Sequence, residues 1–216
     1  MVQNYIRRLF WLILGVAVSS VGIAMMLQAS VGLEPWSVLQ QGMSLRTGMT
    51  YGTASAIAGA AAILTAVLFG ESFGLGTIIN IAGCAVIIDA IQAAHLIPQM
   101  HGLVSGIAML IGGLELLALG TWLYMKSALG SGPRDALMVA LARKFGRSAG
   151  ACRAVVDVLV TVIGFFLGGP VGIGTIISAV GLGPLINLNF AAVRFRPAKV
   201  HQENVAETIA RISGKR

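Results

Sequence analysis

Three acidic residues lie within long apolar stretches of this chain, at Asp89, Glu115 and Asp157. A charged side chain at the centre of a membrane helix costs about 2.5–3.5 kcal/mol on insertion scales, so such residues normally face a bundle interior or water. They therefore indicate a route for a solute or a proton. A structural hydrogen bond or ion pair would explain them equally well, and Asp157 has Arg153 one helical turn away as a partner. Glu115 has no basic neighbour in the sequence and is the stronger functional candidate.

The composition places these acids in a membrane protein. Of the 216 residues 56% are hydrophobic and 11% are charged, whereas a soluble domain carries about 25% charged residues. The sequence predicts an all-α fold with about six transmembrane helices, because a bilayer needs about 20 apolar residues per helix. The net charge of +7 comes from loops and the tail, so it does not predict nucleic-acid binding. The predicted spans are residues 7–27, 50–70, 76–97, 103–125, 149–168 and 173–193.

The chain repeats itself at an offset of 98 residues. Aligning residues 11–90 with 109–188 gives 18 identities in 80 pairs without a gap, and nine of them are Gly on Gly. The alignment predicts two three-span repeats, 1–102 and 103–193, followed by a basic tail, 194–216. Because three is an odd number of spans, the second copy is expected to be inverted in the membrane. Asp89 aligns with Asn187, so Asn187 joins the candidate pathway residues.

The basic residues predict the orientation. With both ends of the chain in the cytoplasm, 14 Lys and Arg residues lie on the cytoplasmic side and one, Arg46, lies outside. Positive charge favours cytoplasmic loops. The loops 28–49 and 126–147 are repeat partners, yet they carry one and five basic residues, which favours opposite sides. The expected orientation therefore has both chain ends in the cytoplasm, with the lipid bilayer as a partner.

Two short segments, 35–46 and 133–145, each begin with Pro, which suits the first helical position. Each is amphipathic and too short to span a bilayer. The sequence favours helices that lie at the membrane interface, and re-entrant half-helices are the alternative.

Three glycine-containing turns could cap a helix or bind an anion through their backbone N–H groups. Gly-x-Gly-Thr occurs at Gly74, Gly76 and Thr77 and again at Gly172, Gly174 and Thr175. We expect the two threonines to act as helix N-caps, and a helix N-terminus could also hold an anion.

The third turn contains Gly130, Gly132, Arg134 and Asp135. Free backbone donors beside a fixed positive charge predict an anion contact at the cytoplasmic mouth. The simpler alternative is that Arg134 is a topology charge paired with Asp135.

No motif for catalysis or a cofactor is recognisable. There is no His-Glu-x-x-His, Gly-x-Ser-x-Gly or P-loop pattern, so neither an enzyme nor a nucleotide-driven pump is expected. Cys84 and Cys152 have no metal-ligand spacing and are expected to be buried thiols.

The residues Gly32, Pro35, Trp36, Val38 and Leu39, together with the turn Gly130–Met138 and the Gly-x-Gly-Thr turns, resemble the YczE/YyaS/YitT family of bacterial integral membrane proteins, closest to its YczE branch. The resemblance covers nearly all of residues 7–193 and implies a polytopic plasma-membrane protein. It implies Asp and His where this chain has Ser37 and Gln40, and a Glu near Asp157.

Inverted repeats, interrupted apolar runs and mid-bilayer acids favour a secondary permease for a small solute. Glu115, Asp89, Asn187 and Asp157 are then expected to line the pathway. The alternative is a non-transporting scaffold that docks a partner through the basic loop and tail. A proton and a second copy of the chain are the further partners left open.

Overall fold

The computed structural model describes residues 2–196 and 200–212. Within these residues the chain is entirely helical. The helices follow in order as α1 Val2–Gln28, α2 Pro35–Thr47, α3 Tyr51–Leu68, α4 Leu75–Ala93, α5 Leu103–Lys126, α6 Pro133–Phe145, α7 Ala149–Phe166, α8 Ile173–Ala192 and α9 Val205–Ile212.

Six of these helices, α1, α3, α4, α5, α7 and α8, are long and apolar enough to cross a membrane. They coincide with the six spans predicted from the sequence, and the chain is therefore an all-helical, multi-pass membrane protein. The third span ends at Ala93 rather than at residue 97, because the backbone turns at His95, where φ is 48°. α7 is the span least covered by protein, and its exposed side chains, such as Leu159 and Phe166, are suited to lipid contact.

α1 and α5 form the centre of the bundle and cross at glycines. A Cβ atom added to Gly22 would lie 2.5 Å from the Gly113 carbonyl oxygen, and one added to Gly15 would lie 2.8 Å from the Gly120 oxygen. Small residues let two backbones approach closely where lipid supplies no hydrophobic driving force. Leu12, fully buried, belongs to the core that surrounds this crossing.

The other helices pack around this pair. α4 packs against α1 and α8 against α5, while α2 packs against α7 and α3 against α6. Each short helix therefore contacts a span that lies about 100 residues away in the chain. α3 also packs along α4, whereas α7 and α8 barely touch.

In each half, the loop after the first span accepts a backbone hydrogen bond from the Gly-x-Gly-Thr turn of the other half. The Gly174 N–H donates to the Val31 carbonyl at 2.8 Å, and the Gly76 N–H donates to the Leu129 carbonyl at 2.7 Å. Residue 31 corresponds to 129 and residue 76 to 174 at the offset of 98. One contact is thus the counterpart of the other with the two halves exchanged.

The Gly-x-Gly-Thr turns cap α4 and α8, but in a different register from the one expected. Gly74 and Gly172 are the N-caps, so the assignment of Thr77 and Thr175 as N-caps is wrong by three residues. Each threonine lies at the third helical position because the glycine carbonyl already accepts its N–H, at 3.1 Å and 3.0 Å. Each threonine hydroxyl accepts the glycine N–H in return.

The tail folds back onto the bundle. Arg8 pairs with Glu203 at 2.6 Å and donates to the carbonyl of Ser127 at 2.7 Å. The Glu203 N–H donates to the Ala128 carbonyl. The short surface helix expected near the end of the chain is α9. Of the basic residues expected in the tail, Lys199, Lys215 and Arg216 lie outside the described residues.

We predict that Gly113→Ala destabilises the protein by about 1–3 kcal/mol, because the new methyl group would overlap the Gly22 backbone. The neighbouring Gly112→Ala is the control, since its Cβ would meet only the flexible end of Met25 at 3.2 Å. Thermal unfolding in detergent measures both. Equal melting temperatures for the two variants would contradict the close crossing.

Candidate functional site: a polar cavity at the centre of the bundle

A cavity of about 120 Å³ lies where α1 to α8 meet. This volume is close to that of an engineered cavity of about 150 Å³ that holds benzene, so it suits a small solute. Unlike that cavity, it has walls that combine a larger apolar surface with several charged and polar groups. The lining residues are Ser19, Ile23, Trp36, Gln40, Ser55, Gly59, Asn80, Ile81, Cys84, Leu117, Thr121, Tyr124, Gly132, Pro133, Arg134, Asp135, Leu137, Met138, Arg153, Val156, Asp157, Leu182 and Ile186.

An ion pair between Glu34 and Arg134 joins the N-termini of α2 and α6 beside the cavity. Arg134 Nη1 lies 2.6 Å from Glu34 Oε1, and the Glu34 side chain is only 2% exposed. The guanidinium also lies 5.2 Å from the ring centroid of Trp36, a cation–π contact. Burial alone would lower the pKa of Arg134, but the Glu34 carboxylate beside it raises that pKa above its ordinary value. The Arg134 side chain is therefore positively charged.

A chain of side-chain hydrogen bonds holds the Glu34 carboxylate from the other side. Ser37 Oγ donates to Glu34 Oε1 at 3.0 Å, and the Tyr51 hydroxyl lies 2.8 Å from Ser37 Oγ. Gln40 approaches the same hydroxyl at 2.6 Å. The Tyr51 hydroxyl can donate to Gln40 Oε1 or to Ser37 Oγ, and because a phenol has one proton it donates to one of them at a time. Ser37 uses its own proton for Glu34.

Asp135 has a different partner from the one expected. It accepts a hydrogen bond from the Tyr124 hydroxyl at 2.7 Å, while its neighbour Arg134 pairs with Glu34. The simple alternative from the sequence, an Arg134–Asp135 pair, is therefore wrong. Asp135 lies in the first turn of α6, where the positive end of the helix dipole also stabilises its charge.

The ion pair predicted between Arg153 and Asp157 is present. Arg153 Nε lies 3.4 Å from Asp157 Oδ2, one turn apart on α7, and both residues line the cavity. The distance is longer than that of the Glu34–Arg134 pair. Asp157 therefore combines the two interpretations that the sequence left open, because it is paired within its own helix and it also faces the cavity.

Several polar side chains at the cavity have no hydrogen-bond partner among the described residues. The Ser19 hydroxyl is buried and unpartnered, and the residue is 2% exposed. Ser55 and Asn80 also line the cavity, and neither side chain has a protein partner within the described part of the chain. Buried polar groups are normally satisfied by protein or water, so the Ser19 hydroxyl is unusual, whereas Ser55 and Asn80 are only partly buried and face the cavity.

The other three predicted pathway residues lie away from the cavity. Asp89 Oδ1 accepts the N–H of Gly52, at the start of α3, at 2.7 Å. Glu115 Oε1 accepts from the Asn189 amide at 2.9 Å, between α5 and α8. Asn187 is exposed on α8. The structure thus gives Asp89 and Glu115 structural partners and does not bring the four residues together.

Some residues of the three predicted turns line the cavity, and the others lie away from it. Gly132, Arg134 and Asp135 line the cavity, while Gly130 packs against Gly74 and its N–H donates to Gln202 at 3.2 Å. In the Gly-x-Gly-Thr turns, the Gly76 and Gly174 N–H groups are already used by carbonyls of the opposite half. These turns cap helices and anchor loops, and they lie outside the cavity.

Sequence reasoning missed Glu34, Tyr51 and Tyr124. Glu34 lies outside the predicted spans, so the search for acids in apolar segments did not find it. One signal was present, since Glu34 directly precedes the Pro that begins α2. An acidic residue at that place is favoured at a helix N-terminus.

Comparisons with known proteins place the chain in a family. Residues 6–190 match the model of a family of unknown function, DUF6198. The chain belongs to this family. It is 32% identical to an uncharacterized protein of Haemophilus influenzae over 175 residues, which are 81% of this chain and 79% of the relative.

Two Bacillus subtilis proteins also match. The chain is 25% identical to the uncharacterized membrane protein YczE over 90% of this chain and 94% of YczE. It is 26% identical to the uncharacterized protein YyaS over 81% of this chain and 88% of YyaS. The resemblance to this group of membrane proteins is therefore confirmed. No solved structure matches the chain.

Two departures from the pattern implied by the resemblance fall in the site. Ser37 and Gln40 stand where Asp and His were implied, and both belong to the hydrogen-bond network around Glu34 and Tyr51. An Asp at position 37 would place a second carboxylate against Glu34. Ser37 instead donates to that carboxylate, so this member holds a single buried acid there.

We predict that Glu34→Gln destabilises the protein by about 3–5 kcal/mol, because it leaves the Arg134 guanidinium without its buried partner. The double variant Glu34→Gln/Arg134→Gln is expected to recover most of the loss, since no uncompensated charge remains. Denaturant unfolding of both single variants and the double variant gives the coupling energy. Additive losses would show that the pair does not support the bundle.

Proposed function

We propose that this protein is a secondary permease that carries a small polar solute across the bacterial plasma membrane. The observation that carries the proposal is the polar cavity at the centre of the bundle, which all of α1 to α8 line. Transporters built from repeats typically hold their substrate near the bilayer midplane between the two halves. A buried ion pair and unpartnered polar groups in such a place are costly in a protein that only needs to pack.

The pattern of lining residues supports two halves related by an axis through the cavity. Seven pairs of lining residues are counterparts at the offset of 98, namely Ser19/Leu117, Ile23/Thr121, Trp36/Arg134, Gln40/Met138, Ser55/Arg153, Gly59/Asp157 and Cys84/Leu182. Trp36 and Arg134 also contact each other. Counterpart residues touch only where a twofold axis passes between them, so this contact supports an axis at the site.

The exchanged loop contacts and the parity of the repeat favour an inverted arrangement. In each half, one loop bonds to the Gly-x-Gly-Thr turn of the other half. Three spans per half require the halves to have opposite orientations in the bilayer. The distribution of 14 basic residues against one favours a cytoplasmic location for both ends of the chain.

We further propose that α2 and α6 are re-entrant half-helices, in place of the interfacial helices favoured by the sequence. The first residues of α2, Pro35 to Val38, are all buried, whereas Leu45 to Thr47 are exposed. A helix lying on a surface would expose one face along its whole length. Glu34 and Arg134 join the two N-termini at the cavity.

The C-terminal ends of the two short helices pack against different spans. Gly42 of α2 packs against Gly164, near the end of α7. Arg143 of α6 pairs with Glu71, in the turn after α3, at 2.8 Å. Under the inverted arrangement these two places lie on opposite membrane faces. Discontinuous helices whose N-termini point at a central site are a recurrent feature of transporters.

One difference between the halves supports alternating access. α3 packs along α4, and Asp89 on α4 holds the start of α3 through the Gly52 N–H. Their counterparts α7 and α8 barely touch. Asn187, the counterpart of Asp89, is exposed, and a Cβ added to Gly150, the counterpart of Gly52, would meet nothing within 4 Å. A permease closed on one side and open on the other has this asymmetry.

The scaffold alternative fits less well. It would use the basic loop and tail as a docking surface, but parts of that surface are engaged within the chain. Arg143 pairs with Glu71, Arg134 pairs with Glu34, and the tail is tied to the bundle through Glu203. A docking protein also has no need of a central polar cavity.

We predict that the ends of α2 and α6 lie on opposite membrane faces. Thr47 and Phe145 are counterparts at the offset of 98, and both are exposed. In a background lacking Cys84 and Cys152, Thr47→Cys is expected to react with a membrane-impermeant maleimide on intact cells. Phe145→Cys is expected to react only after permeabilisation. Labelling of both from the same side would refute the inverted arrangement.

We predict that purified protein in liposomes takes up at least one solute from a mixture of small polar metabolites, measured by mass spectrometry against protein-free liposomes. Ser55→Phe should reduce this uptake about tenfold or more, because the ring would fill the cavity. Ile57→Phe is the matched control, since Ile57 lies on the same helix with its side chain exposed. Uptake no greater than in empty liposomes, or equal uptake by both variants, would refute a permease that uses this cavity.

A further inference from the structure

We infer that the cavity recognises an uncharged solute that carries amide or hydroxyl groups and is about the size of benzene or smaller. The inference rests on the proposed function and adds the class of solute. It follows from a difference between the charged and the uncharged polar groups at the cavity. The charged groups already have partners, whereas the groups without partners carry no charge.

The charged groups at the cavity already have partners within the protein, so they would bind an ionic solute only weakly. Arg134 is neutralised by Glu34 at 2.6 Å, and Asp157 by Arg153 at 3.4 Å. Asp135 is hydrogen-bonded to the Tyr124 hydroxyl and lies at the positive end of α6. An anionic solute would lose its hydration and find both guanidinium groups at the cavity already paired, which is unfavourable in a low-dielectric interior. A cationic solute would find only Asp135, whose charge the Tyr124 hydroxyl and the α6 dipole already stabilise.

The unpartnered groups at the cavity are a hydroxyl on Ser19, a hydroxyl on Ser55 and an amide on Asn80. Each can both donate and accept a hydrogen bond. Amide and hydroxyl solutes present the same mixture of donors and acceptors, so they can satisfy these groups together. The N–H groups of Arg134 that do not face Glu34 can donate to a neutral oxygen without breaking the ion pair.

Ser19 provides the strongest indication of a ligand. Its hydroxyl is buried, with the residue 2% exposed, and it has no hydrogen-bond partner. The adjacent Ser20 is also buried, but its hydroxyl donates to the Val16 carbonyl of its own helix at 2.7 Å. A serine in a helix can usually satisfy itself in this way. Ser19 lines the cavity and does not do so, so its hydroxyl is an unsatisfied polar group in the cavity wall, beside Gly120 of α5.

The repeat supplies a matched comparison for Asn80. Its counterpart at the offset of 98 is Ser178, which is buried and donates to the Gly174 carbonyl at 2.7 Å. Ser178 is not among the residues that line the cavity. The free amide is therefore a feature of one half only. Removing it should affect recognition, and removing the Ser178 hydroxyl should not.

The test uses two pairs of isosteric probes, acetamide with acetate and urea with guanidinium. Their entry into proteoliposomes is measured with radiolabelled compounds, after subtraction of entry into protein-free liposomes. Acetamide or urea is expected to enter about tenfold faster than its charged isostere, and Asn80→Ala is expected to slow this entry about tenfold, as the loss of one hydrogen bond would. Ser178→Ala is expected to enter at the wild-type rate, with unchanged melting temperatures verifying that both variants fold.

The outcomes separate this inference from the proposed function. Faster entry of acetate or guanidinium would overturn the inference and leave a permease for ions. Entry of neither class would also overturn the inference, and uptake from the metabolite mixture then decides whether the protein is a permease. Equal slowing by Asn80→Ala and Ser178→Ala would show that the amide acts on the fold rather than on the solute.

Discussion

The Glu34–Arg134 ion pair is the interaction on which the centre of this protein depends. A charge buried in a helical bundle is tolerated only when it is paired and hydrogen-bonded, and here each partner begins a different short helix. The pair therefore fixes where α2 and α6 start and how their loops enter the bundle. Neither residue has a charged counterpart in the other half, because Glu34 corresponds to Gly132 and Arg134 to Trp36. The halves repeat their backbone, but they form the pair together.

The same distinction explains why the repeat is most visible in glycine. The crossing of α1 and α5 leaves no room for a Cβ at Gly22 or at Gly113. The turns at Gly74 and Gly172 are similarly closed by a backbone of the opposite half. These positions are determined by the approach of two backbones, which is the same in both halves. The side chains around the cavity face a single shared space, so they are free to differ between the halves, and most of them do.

The six spans could be predicted because length and apolar composition are local properties of the chain. The Arg153–Asp157 pair could be predicted for the same reason, since its members are one helical turn apart. The cavity could not be predicted, because Glu34 and Arg134 are 100 residues apart in the chain. In addition, Glu34 lies in a segment that the sequence predicts as a loop. Asp89 and Glu115 became candidates because a charge in lipid is costly. A hydrogen bond from the N-terminus of a helix or from an amide such as that of Asn189 also stabilises such a charge, without any role in transport.

The asymmetry of the halves has a mechanical consequence for the proposed transport. α7 is packed against α2 and barely contacts α8, and α2 is tied through Glu34 to α6. If α7 closed on α8 in the proposed transport, α2 would move with α7, and the ion pair would connect that movement to α6. α8 is also suited to bend, since an added Cβ at Gly181 or Gly183 would meet nothing within 4 Å and Pro184, inside the helix, has no N–H to donate. The counterpart segment of α4 contains Ala85 and Val86 in place of Gly183 and Pro184, and it belongs to the pair of spans that is closed. The half with the more adaptable helix is therefore the half in which two spans, α7 and α8, barely contact each other.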